Sequence, residues 1–262
     1  MIDEILKILK NVQEKREVFK NWYVYYFPSN KKILITREGD KFMFYKNKER
    51  RSTSIFSITE IYYSKIYNLE FNLNEGDIVV DIGANIGVFS IYAARKVGKV
   101  LSFEPCLENF EDLKENIELN NAKNIFLYNK GIYSKKGKLK LYLTEEMTGH
   151  SINKQDSFSG EIEDIEVITL SDIFKDYDIE KIDFLKIDCE GSEYEVLLTT
   201  PKKCFERINR IAMELHLSLN YNFNDILSFL RKVGYRTRCL KYGGGNAMMV
   251  YAEKEIEENK NV

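Results

Sequence analysis

The sequence predicts an α/β fold with an open, mostly parallel sheet, and three segments carry this prediction. Val79–Gly87 and Asp183–Glu193 are each an apolar run that ends on an acidic residue, breaks into glycine and continues in a helical pattern. Between them, the apolar run Leu101–Pro105 carries Glu104 near its end. A buried parallel strand that delivers a carboxylate to the ligand-binding edge of such a sheet has this pattern.

Length and composition bound the possibilities. The chain has 262 residues, enough for one sizeable α/β domain and an extension. Lys and Arg number 39 against 41 Asp and Glu, so net charge gives no case for a nucleic-acid or membrane partner. The four cysteines form no C-x-x-C pair and there are two histidines, which argues against a zinc site and favours free thiols in a reducing cytoplasm. No apolar stretch has the length of a membrane span, and the first residues lack a signal-peptide pattern.

Residues 1–75 are predicted to form an N-terminal extension with a packing or substrate-side role. Apolar residues share one helix face at Ile2, Ile5, Leu6, Leu9 and Val12. The strand-like runs Trp22–Phe27, Lys32–Thr36 and Lys41–Tyr45, separated by turn residues, predict a small antiparallel meander. A basic cluster, Lys46–Arg51, is interpreted as a solvated loop, with binding of an anionic substrate group as the alternative, and Thr59–Leu69 has helical spacing.

Residues 76–255 are predicted to form the main domain, followed by a polar tail at 256–262. Strands and helices alternate from Asp77 onward, which predicts a parallel sheet with right-handed crossovers. The predicted strands are Ile78–Ile82, Lys99–Phe103, Ile125–Tyr128, Ile182–Ile187 and Ile208–Leu215, and the helices are Val88–Lys96, Leu107–Leu119, Glu193–Leu198 and Phe223–Val233. Strands Lys138–Leu143 and Ile162–Ile168 surround a polar loop. Tyr235–Leu240 and Ala247–Tyr251, joined by a glycine-rich turn, predict an antiparallel pair that ends the sheet.

The first motif has the features of a nucleotide-cofactor loop. At Gly83 and Gly87 we expect the backbone to approach a ligand so closely that a Cβ would collide with it. The helix that begins near Gly87 directs its N–H groups and positive end at the same point. A dinucleotide loop reads G-x-G-x-x-G and binds a pyrophosphate, whereas here Asp81 precedes the first glycine and Asn85 stands in the middle. An anionic Asp81 would repel a pyrophosphate but suits the ammonium and sulfonium of S-adenosylmethionine.

Glu104 strengthens this interpretation. It follows Asp81 at close to the spacing of about 20 residues at which an acidic residue binds ribose hydroxyls. Pro105 behind it and the apolar residues before it favour the ribose role over that of a surface glutamate at a strand end.

These motifs resemble the FkbM family of class I S-adenosylmethionine-dependent methyltransferases. The resemblance covers roughly residues 76–251 and is most specific at D-I-G-A-N-I-G (81–87), F-E-P (103–105) and D-F-L-K-I-D-C-E-G-S-E (183–193). The family commonly continues V-L-x-G, where this chain has Thr199 in place of the glycine. The resemblance implies a Rossmann-like, mostly parallel seven-stranded sheet with a final antiparallel strand. It also implies a cytoplasmic O-methyltransferase for hydroxyls of sugars, glycans or other small metabolites.

By the same resemblance, cofactor-binding residues carry over from the family. Those expected at the methionine part are Asp81, Gly83, Ala84, Asn85 and Gly87; at the ribose, Glu104 and Pro105; near the adenine, Asn129, Gly131 and Ile132; and near the methyl group, Asp188. An ordinary core position at the end of a strand is the alternative for Ile132.

Methyl transfer to an alcohol requires alignment, which can contribute about 7–11 kcal/mol, and removal of the hydroxyl proton. The predicted catalytic residues are Asp188, Glu190, Glu214 and His216, at the carboxyl ends of two strands. Strand alternation places Glu214 and His216 on the same side. Glu190 alternatively complements the end of a helix, and Glu193 is expected to face solvent or to cap the first helical turn.

A divalent metal is the alternative to a metal-free base. Asp188, Glu214 and His216 offer mixed oxygen and nitrogen donors, which suit Mn²⁺ or Fe²⁺ better than Mg²⁺. We favour a carboxylate or imidazole base without a metal ion.

The expected partner is a small-molecule or glycan acceptor. Tyr62, Tyr63 and Tyr67 are predicted to stack on it, with core packing as the alternative. His150 is predicted to form a hydrogen bond with it from a polar loop, with a mobile loop residue as the alternative. The sequence does not indicate an oligomeric state. A nucleic-acid methyltransferase is disfavoured by the balanced charge, and an NAD-dependent oxidoreductase by Asp81 and the missing third glycine. A cofactor-binding subunit without catalysis stays open.

Overall fold

The computed structural model describes residues 23–26, 31–45, 57–144, 149–153, 158–217, 220–242 and 247–255. The chain divides into two compact units, Met1–Lys48 and Glu49–Val262. The predicted helix over residues 2–12, the basic cluster Lys46–Arg51 and the glycine-rich turn at 243–246 lie outside the described residues.

The smaller unit contains the predicted antiparallel meander. Strands β1 (Tyr23–Tyr26), β2 (Lys31–Ile35) and β3 (Lys41–Tyr45) form a sheet in that order. Leu34 and Phe42 face one another in register and are both buried, as expected for the apolar face of such a sheet.

The larger unit is built on a seven-stranded sheet. Its strands are β4 (Ile78–Ile82), β5 (Lys99–Phe103), β6 (Ile125–Tyr128), β10 (Ile182–Ile187), β11 (Ile208–His216), β12 (Tyr235–Tyr242) and β13 (Ala247–Lys254). They lie in the order β12-β13-β11-β10-β4-β5-β6. All neighbours pair in parallel except β13, which runs antiparallel to both β11 and β12. The predicted parallel sheet with a final antiparallel strand is therefore confirmed. The last strand inserts between β11 and β12 and does not form the edge.

The central strands are buried on both faces, which explains their continuous apolar runs. Every residue of β10 is buried, and so are Val79–Ile82 of β4. The helices of this unit are α1 (Val88–Ala94), α2 (Leu107–Asn120), α3 (Leu170–Asp176), α4 (Glu193–Thr199), α5 (Lys202–Phe205) and α6 (Phe223–Lys232). None of the described helices has both the length and the apolar character that crossing a bilayer demands.

A second, three-stranded sheet interrupts the alternation between β6 and β10. It consists of β7 (Gly131–Ile132), β8 (Gly137–Thr144) and β9 (Phe158–Ile168), in the order β7-β9-β8. Two of these strands were predicted, while β7 was missed because two residues carry no periodicity. Helix α3 was also missed, although Thr169 and Asp172 form a capping box that marks its start.

The segment before β4 is a short π-helical turn, Thr59–Ser64. It ends earlier than the predicted helix because Lys65 adopts a left-handed conformation with φ of 50°. After this turn, the ring of Phe71 packs edge-on against the ring of Tyr251 on β13, which connects the segment before β4 to the sheet.

The two motif glycines are required by contacts within the protein, which corrects the reason given from sequence. A Cβ at Gly83 would lie 1.7 Å from the backbone oxygen of Asp188, and one at Gly87 would lie 2.4 Å from Cδ1 of Leu113. Both glycines have positive φ, 75° and 89°. The loop is therefore pressed against β10 and α2 even before any ligand is considered.

We expect Gly83→Ala to lower the free energy of unfolding by about 2–4 kcal/mol, because it adds a backbone clash to the strain of a positive φ. Gly160→Ala is the matched control, since Gly160 also has a positive φ but no atom within 4 Å of an added Cβ. Chemical denaturation of both variants isolates the clash. Equal losses of stability in the two variants would contradict this account.

Candidate functional site

A cavity of about 700 Å³ opens at the carboxyl ends of the parallel strands. Residues that follow β4, β5 and β10 contribute to its wall, as do residues at the end of β11, which the edge of an open α/β sheet leads one to expect. Its volume lies in the range of about 300–1,000 Å³ that is usual for small-molecule sites.

Lys186 lies at the floor of this cavity and was not identified from the sequence. Its ammonium is 3.1 Å from Oδ1 of Asp81 and donates to the carbonyl oxygen of Gly83 at 2.7 Å. Lys186 is 3% exposed and Asp81 is 0% exposed. Although burial lowers the pKa of Lys186, the neighbouring Asp81 and Asp188 carboxylates raise it above its usual value. A lysine near the end of a mostly apolar strand was the signal, because a buried ammonium requires a partner.

Asp81 therefore has partners within the protein. Besides Lys186, its Oδ2 accepts a hydrogen bond of 2.6 Å from the Ser90 hydroxyl on α1. The residue lies beneath the cavity wall, to which its neighbours Ile82 and Gly83 contribute. Its contact with the ammonium of a cofactor stays a prediction.

Glu104 is held in the cavity wall by two backbone amides. Its Oε2 accepts from the N–H of Asn85 at 2.8 Å, and its Oε1 accepts from the N–H of Cys106 at 2.9 Å. Burial raises the pKa of Glu104 to about 7, against the opposing effect of these two hydrogen bonds. The same carboxyl group thereby connects the glycine loop after β4 to the end of β5. Gly131 and Ile132 border the cavity nearby, as do Ala84 and Pro105.

Asp188 follows β10 and contacts the segment that precedes β4. Its Oδ2 accepts a hydrogen bond of 2.8 Å from the hydroxyl of Tyr67 and lies 3.8 Å from Nζ of Lys186. Its Oδ1 has no hydrogen-bond partner among the described residues. Tyr67 is buried and stacks edge-on against Phe89. Tyr67 was considered only as a stacking residue, and its bond to Asp188 spans 121 positions that no local pattern reveals.

Glu193 is buried, which corrects the expectation that it faces solvent. It is 0% exposed, and its Oε1 accepts from the N–H groups of Cys189 and Gly191. The same oxygen lies 3.1 Å from Nδ1 of His216. Glu193 therefore closes the turn after β10 and orients the imidazole at the end of β11.

His216 brings the predicted catalytic residues together. Its Nε2 lies 3.2 Å from Oε2 of Glu190 and 3.8 Å from Oε1 of Glu214. Burial lowers the pKa of His216, but the hydrogen bond to Glu193 and the charges of Glu193 and Glu190 raise it to about 10. The imidazole is therefore held as a cation between acidic groups.

Glu190 occupies an unusual backbone conformation for a residue with a side chain. Its φ is 53°, in the left-handed region. Its Oε1 accepts from the N–H of Gly149 and its carbonyl oxygen accepts from the hydroxyl of Ser151. The described part of the β8–β9 loop thus supports this conformation, which directs Glu190 toward His216.

The acidic groups that border the cavity have raised pKa values. Burial and the nearby Asp188 raise the pKa of Glu190 to about 7 and that of Glu214 to about 8. Burial, together with Glu214 and Asp188, raises the pKa of Glu60 to about 9. Glu60 belongs to the Thr59–Ser64 turn and was not identified from the sequence, where it reads as an ordinary surface glutamate on a helix. Clusters of perturbed carboxyl groups in a cleft are typical of functional sites.

Of the remaining predicted residues, His150 borders the cavity, and Asn129, Tyr62 and Tyr63 do not do so in the described part of the chain. His150 borders the cavity, and its Nδ1 accepts from the backbone N–H of Thr144 at 3.1 Å. Asn129 donates through its side-chain amide to the carbonyl oxygens of Glu104 and Pro105, so it supports the wall from behind. Tyr62 is buried against the ring of Tyr92, which is the core alternative. Neither Tyr62 nor Tyr63 borders the cavity as the described residues define it, and their contact with an acceptor stays a prediction.

Three side chains that could bind a metal ion lie close together: one donor atom each of Asp188, Glu190 and His216 lies within 4.8 Å of the others. This set differs from the predicted one in that it contains Glu190 and not Glu214. Carboxylate and imidazole donors suit Mn²⁺ or Fe²⁺. Because a metal-bound imidazole nitrogen must be unprotonated, an ion would have to displace the proton from Nε2 of His216.

Comparison with known proteins identifies the family. The methyltransferase FkbM domain matches residues 81–237. Methyltransferase sdnD of Sordaria araneosa is 30% identical over 209 residues, which are 68% of this chain and 80% of that protein. The 31-O-demethyl-FK506 methyltransferase FkbM of Streptomyces tacrolimicus is 26% identical over 211 residues, 69% of this chain and 81% of that protein. The hexuronic acid methyltransferase AglP of Haloferax volcanii is 25% identical over 169 residues, 64% of this chain and 66% of that protein.

With the motifs at the carboxyl ends of β4, β5 and β10 in one cavity, and with this match over more than half of its length, the chain belongs to the FkbM family and is an S-adenosylmethionine-dependent methyltransferase.

Proposed function

We propose that this methyltransferase acts on a hydroxyl group of a sugar, a glycan or a related small metabolite, and that a carboxylate of the protein removes the hydroxyl proton. The observation that carries the proposal is the group of Asp188, Glu190 and Glu214 around His216, in the same cavity as the cofactor motifs. An unactivated alcohol requires such a base in contact with it.

The cavity fits S-adenosylmethionine on its own residues. Each oxygen of Glu104 already accepts one backbone N–H and keeps a lone pair for a ribose hydroxyl. Ile132 and Pro105 offer apolar surface beside it. When bound, the cofactor supplies a methyl group that its sulfonium has already activated. The residues of this chain then have to align the acceptor and accept its proton.

Glu214 and Glu190 are best suited to accept that proton. His216 is held as a cation by Glu193, so it lacks the free nitrogen that a base needs. The raised pKa values of Glu214 and Glu190, about 8 and about 7, lie close to neutral pH, where a general base is most effective. The role of His216 in this proposal is to orient the two carboxyl groups.

The name of one relative supports a hydroxyl-bearing acceptor, because it is described as a 31-O-demethyl-FK506 methyltransferase. We further propose that residues 57–67, within the N-terminal 75 residues, form part of the acceptor side of the cavity, since Ser57, Glu60 and Tyr67 border it.

A metal-dependent O-methyltransferase is the second candidate. The closeness of donor atoms from Asp188, Glu190 and His216 favours it. In that case the ion would bind the acceptor oxygen and lower the pKa of the hydroxyl, and Glu193 would orient the ligating imidazole from behind.

Glu104→Ala should weaken the binding of S-adenosylhomocysteine by about 1.5–3 kcal/mol, the range for hydrogen bonds to a charged group. Calorimetry measures the loss, and Glu111→Ala, on the exposed side of α2, is the control. An unchanged affinity for Glu104→Ala would remove this carboxylate from the ribose.

Glu214→Gln should reduce turnover by about 10²–10⁴-fold, the contribution typical of a general base, because the amide keeps the shape and loses the basic oxygen. Release of S-adenosylhomocysteine in the presence of a sugar acceptor is the measurement. The affinity for S-adenosylhomocysteine serves as the control for folding. If Glu214→Gln and Glu190→Gln both turn over normally, the base lies elsewhere.

Chelation separates the two candidate mechanisms. If a carboxylate acts alone, activity should persist after dialysis against EDTA and should not respond to added Mg²⁺ or Mn²⁺. Activity that is lost on chelation and restored by Mn²⁺ would instead make Asp188, Glu190 and His216 metal ligands.

A further inference from the structure

Acidic side chains outnumber basic ones in the wall of the cavity. Among the described residues, three basic ones border it at Lys186, His150 and His216, and five acidic ones at Glu60, Glu104, Asp188, Glu190 and Glu214. The acidic residues come from four separate parts of the chain, so the excess is a property of the folded site.

The two charged bases are already balanced from behind the wall. Lys186 is paired with the buried Asp81 at 3.1 Å, and His216 with the buried Glu193 at 3.1 Å. The other basic side chain, His150, receives a backbone N–H at its Nδ1 and adds no compensating charge when neutral. Within the described part of the wall, the five acidic residues are thus left without an equal number of positive charges: Glu60, Glu104, Asp188, Glu190 and Glu214.

Glu60 adds to this excess from a different part of the chain. It is half-buried on the Thr59–Ser64 turn and borders the same cavity as Asp188, Glu190 and Glu214. Burial, together with the charges of Glu214 and Asp188, raises the pKa of Glu60 to about 9. Close carboxyl groups cannot all be ionised unless a positive charge lies among them.

We propose that this cavity selects for positive charge: it binds the sulfonium of S-adenosylmethionine in preference to the neutral thioether product, and it admits hydroxyl acceptors that carry no anionic group. The first half depends only on the cofactor of the family. The second half rests on the proposed function and names its acceptor class, an uncharged or ammonium-bearing hydroxyl compound. Glu60 is thereby a residue that determines specificity by charge.

The selection has a simple physical basis. Without a cation these crowded carboxyl groups are partly protonated, as their raised pKa values indicate. A bound cation lowers their pKa values and is stabilised by the carboxylates that form, since the effective dielectric constant is far below that of water. A carboxylate or phosphate on the acceptor would be repelled by the groups that are ionised. After methyl transfer the sulfonium becomes a thioether, so the cofactor loses its attraction at the moment when the product must leave.

Calorimetry in the presence of EDTA tests the first half without any acceptor. The ligands are S-adenosylmethionine, S-adenosylhomocysteine and an analogue with an ammonium in place of the sulfonium. We expect both cationic ligands to bind about tenfold or more tightly than S-adenosylhomocysteine. Glu60→Gln and Glu214→Gln should each reduce that ratio several-fold and leave the affinity for S-adenosylhomocysteine unchanged. The control Glu118→Gln, an exposed change on α2, should not alter the ratio.

The unchanged affinity for S-adenosylhomocysteine also shows that each variant is folded. Equal or tighter binding of S-adenosylhomocysteine by the native protein would overturn the proposal, and so would a ratio that neither substitution changes.

Matched sugar acceptors test the second half. Turnover is compared for methyl glucopyranoside, its 2-amino analogue and its uronic acid analogue. We expect the uncharged and amino sugars to be used and the uronic acid to be used at least about tenfold less well. A preference for the uronic acid would overturn this half. Turnover of none of the three would count against the sugar acceptor of the proposed function, while the cofactor titrations would still decide whether the cavity selects for charge.

Discussion

The buried ion pair between Lys186 and Asp81 joins the two segments from which the site is built. Lys186 on β10 and Asp81 on β4 stand opposite one another in the register of the parallel pair. The same ammonium donates to the carbonyl oxygen of Gly83, so the glycine loop is tied to the strand beside it. Removing one partner would leave an uncompensated buried charge, at a cost of about 3–5 kcal/mol. The positions of Glu104, through Asn85, and of Asp188 follow from this fixed junction.

A second buried acid plays the corresponding part at the other side of the site. Glu193 accepts two backbone N–H groups of the turn after β10 and holds the imidazole of His216. The two pairs place one acid behind each cation. The groups that border the cavity itself are therefore left acidic, and burial together with the nearby acidic groups raises the pKa values of Glu60, Glu190 and Glu214. The proposed selection for positively charged ligands and the proposed proton acceptor both depend on this arrangement.

Sequence reasoning brought the residues at the strand ends together because strand ends are a local property. In a parallel sheet the carboxyl ends of all strands meet at one edge, so Glu104, Asp188, Glu190, Glu214 and His216 were expected together, and they do border one cavity. It located the glycine loop for a reason that proved incomplete, since Gly83 must lack a side chain to let the backbone of Asp188 approach. A bound ligand and a neighbouring strand can each require a position without a side chain, and the sequence cannot distinguish these two reasons for a glycine.

The alternation of apolar runs and helical patterns by itself determined the parallel sheet, its antiparallel final pair and the cofactor motifs of this family. These features are encoded in periodicity and in spacing along a few residues. Only the tertiary structure decided that β13 inserts beside β11, that Glu193 turns inward, and that Glu60 and Tyr67 reach the cavity. Such contacts join residues far apart in the chain, as the bond between Tyr67 and Asp188 does. They depend on how the elements pack against one another, a choice that local periodicity does not encode.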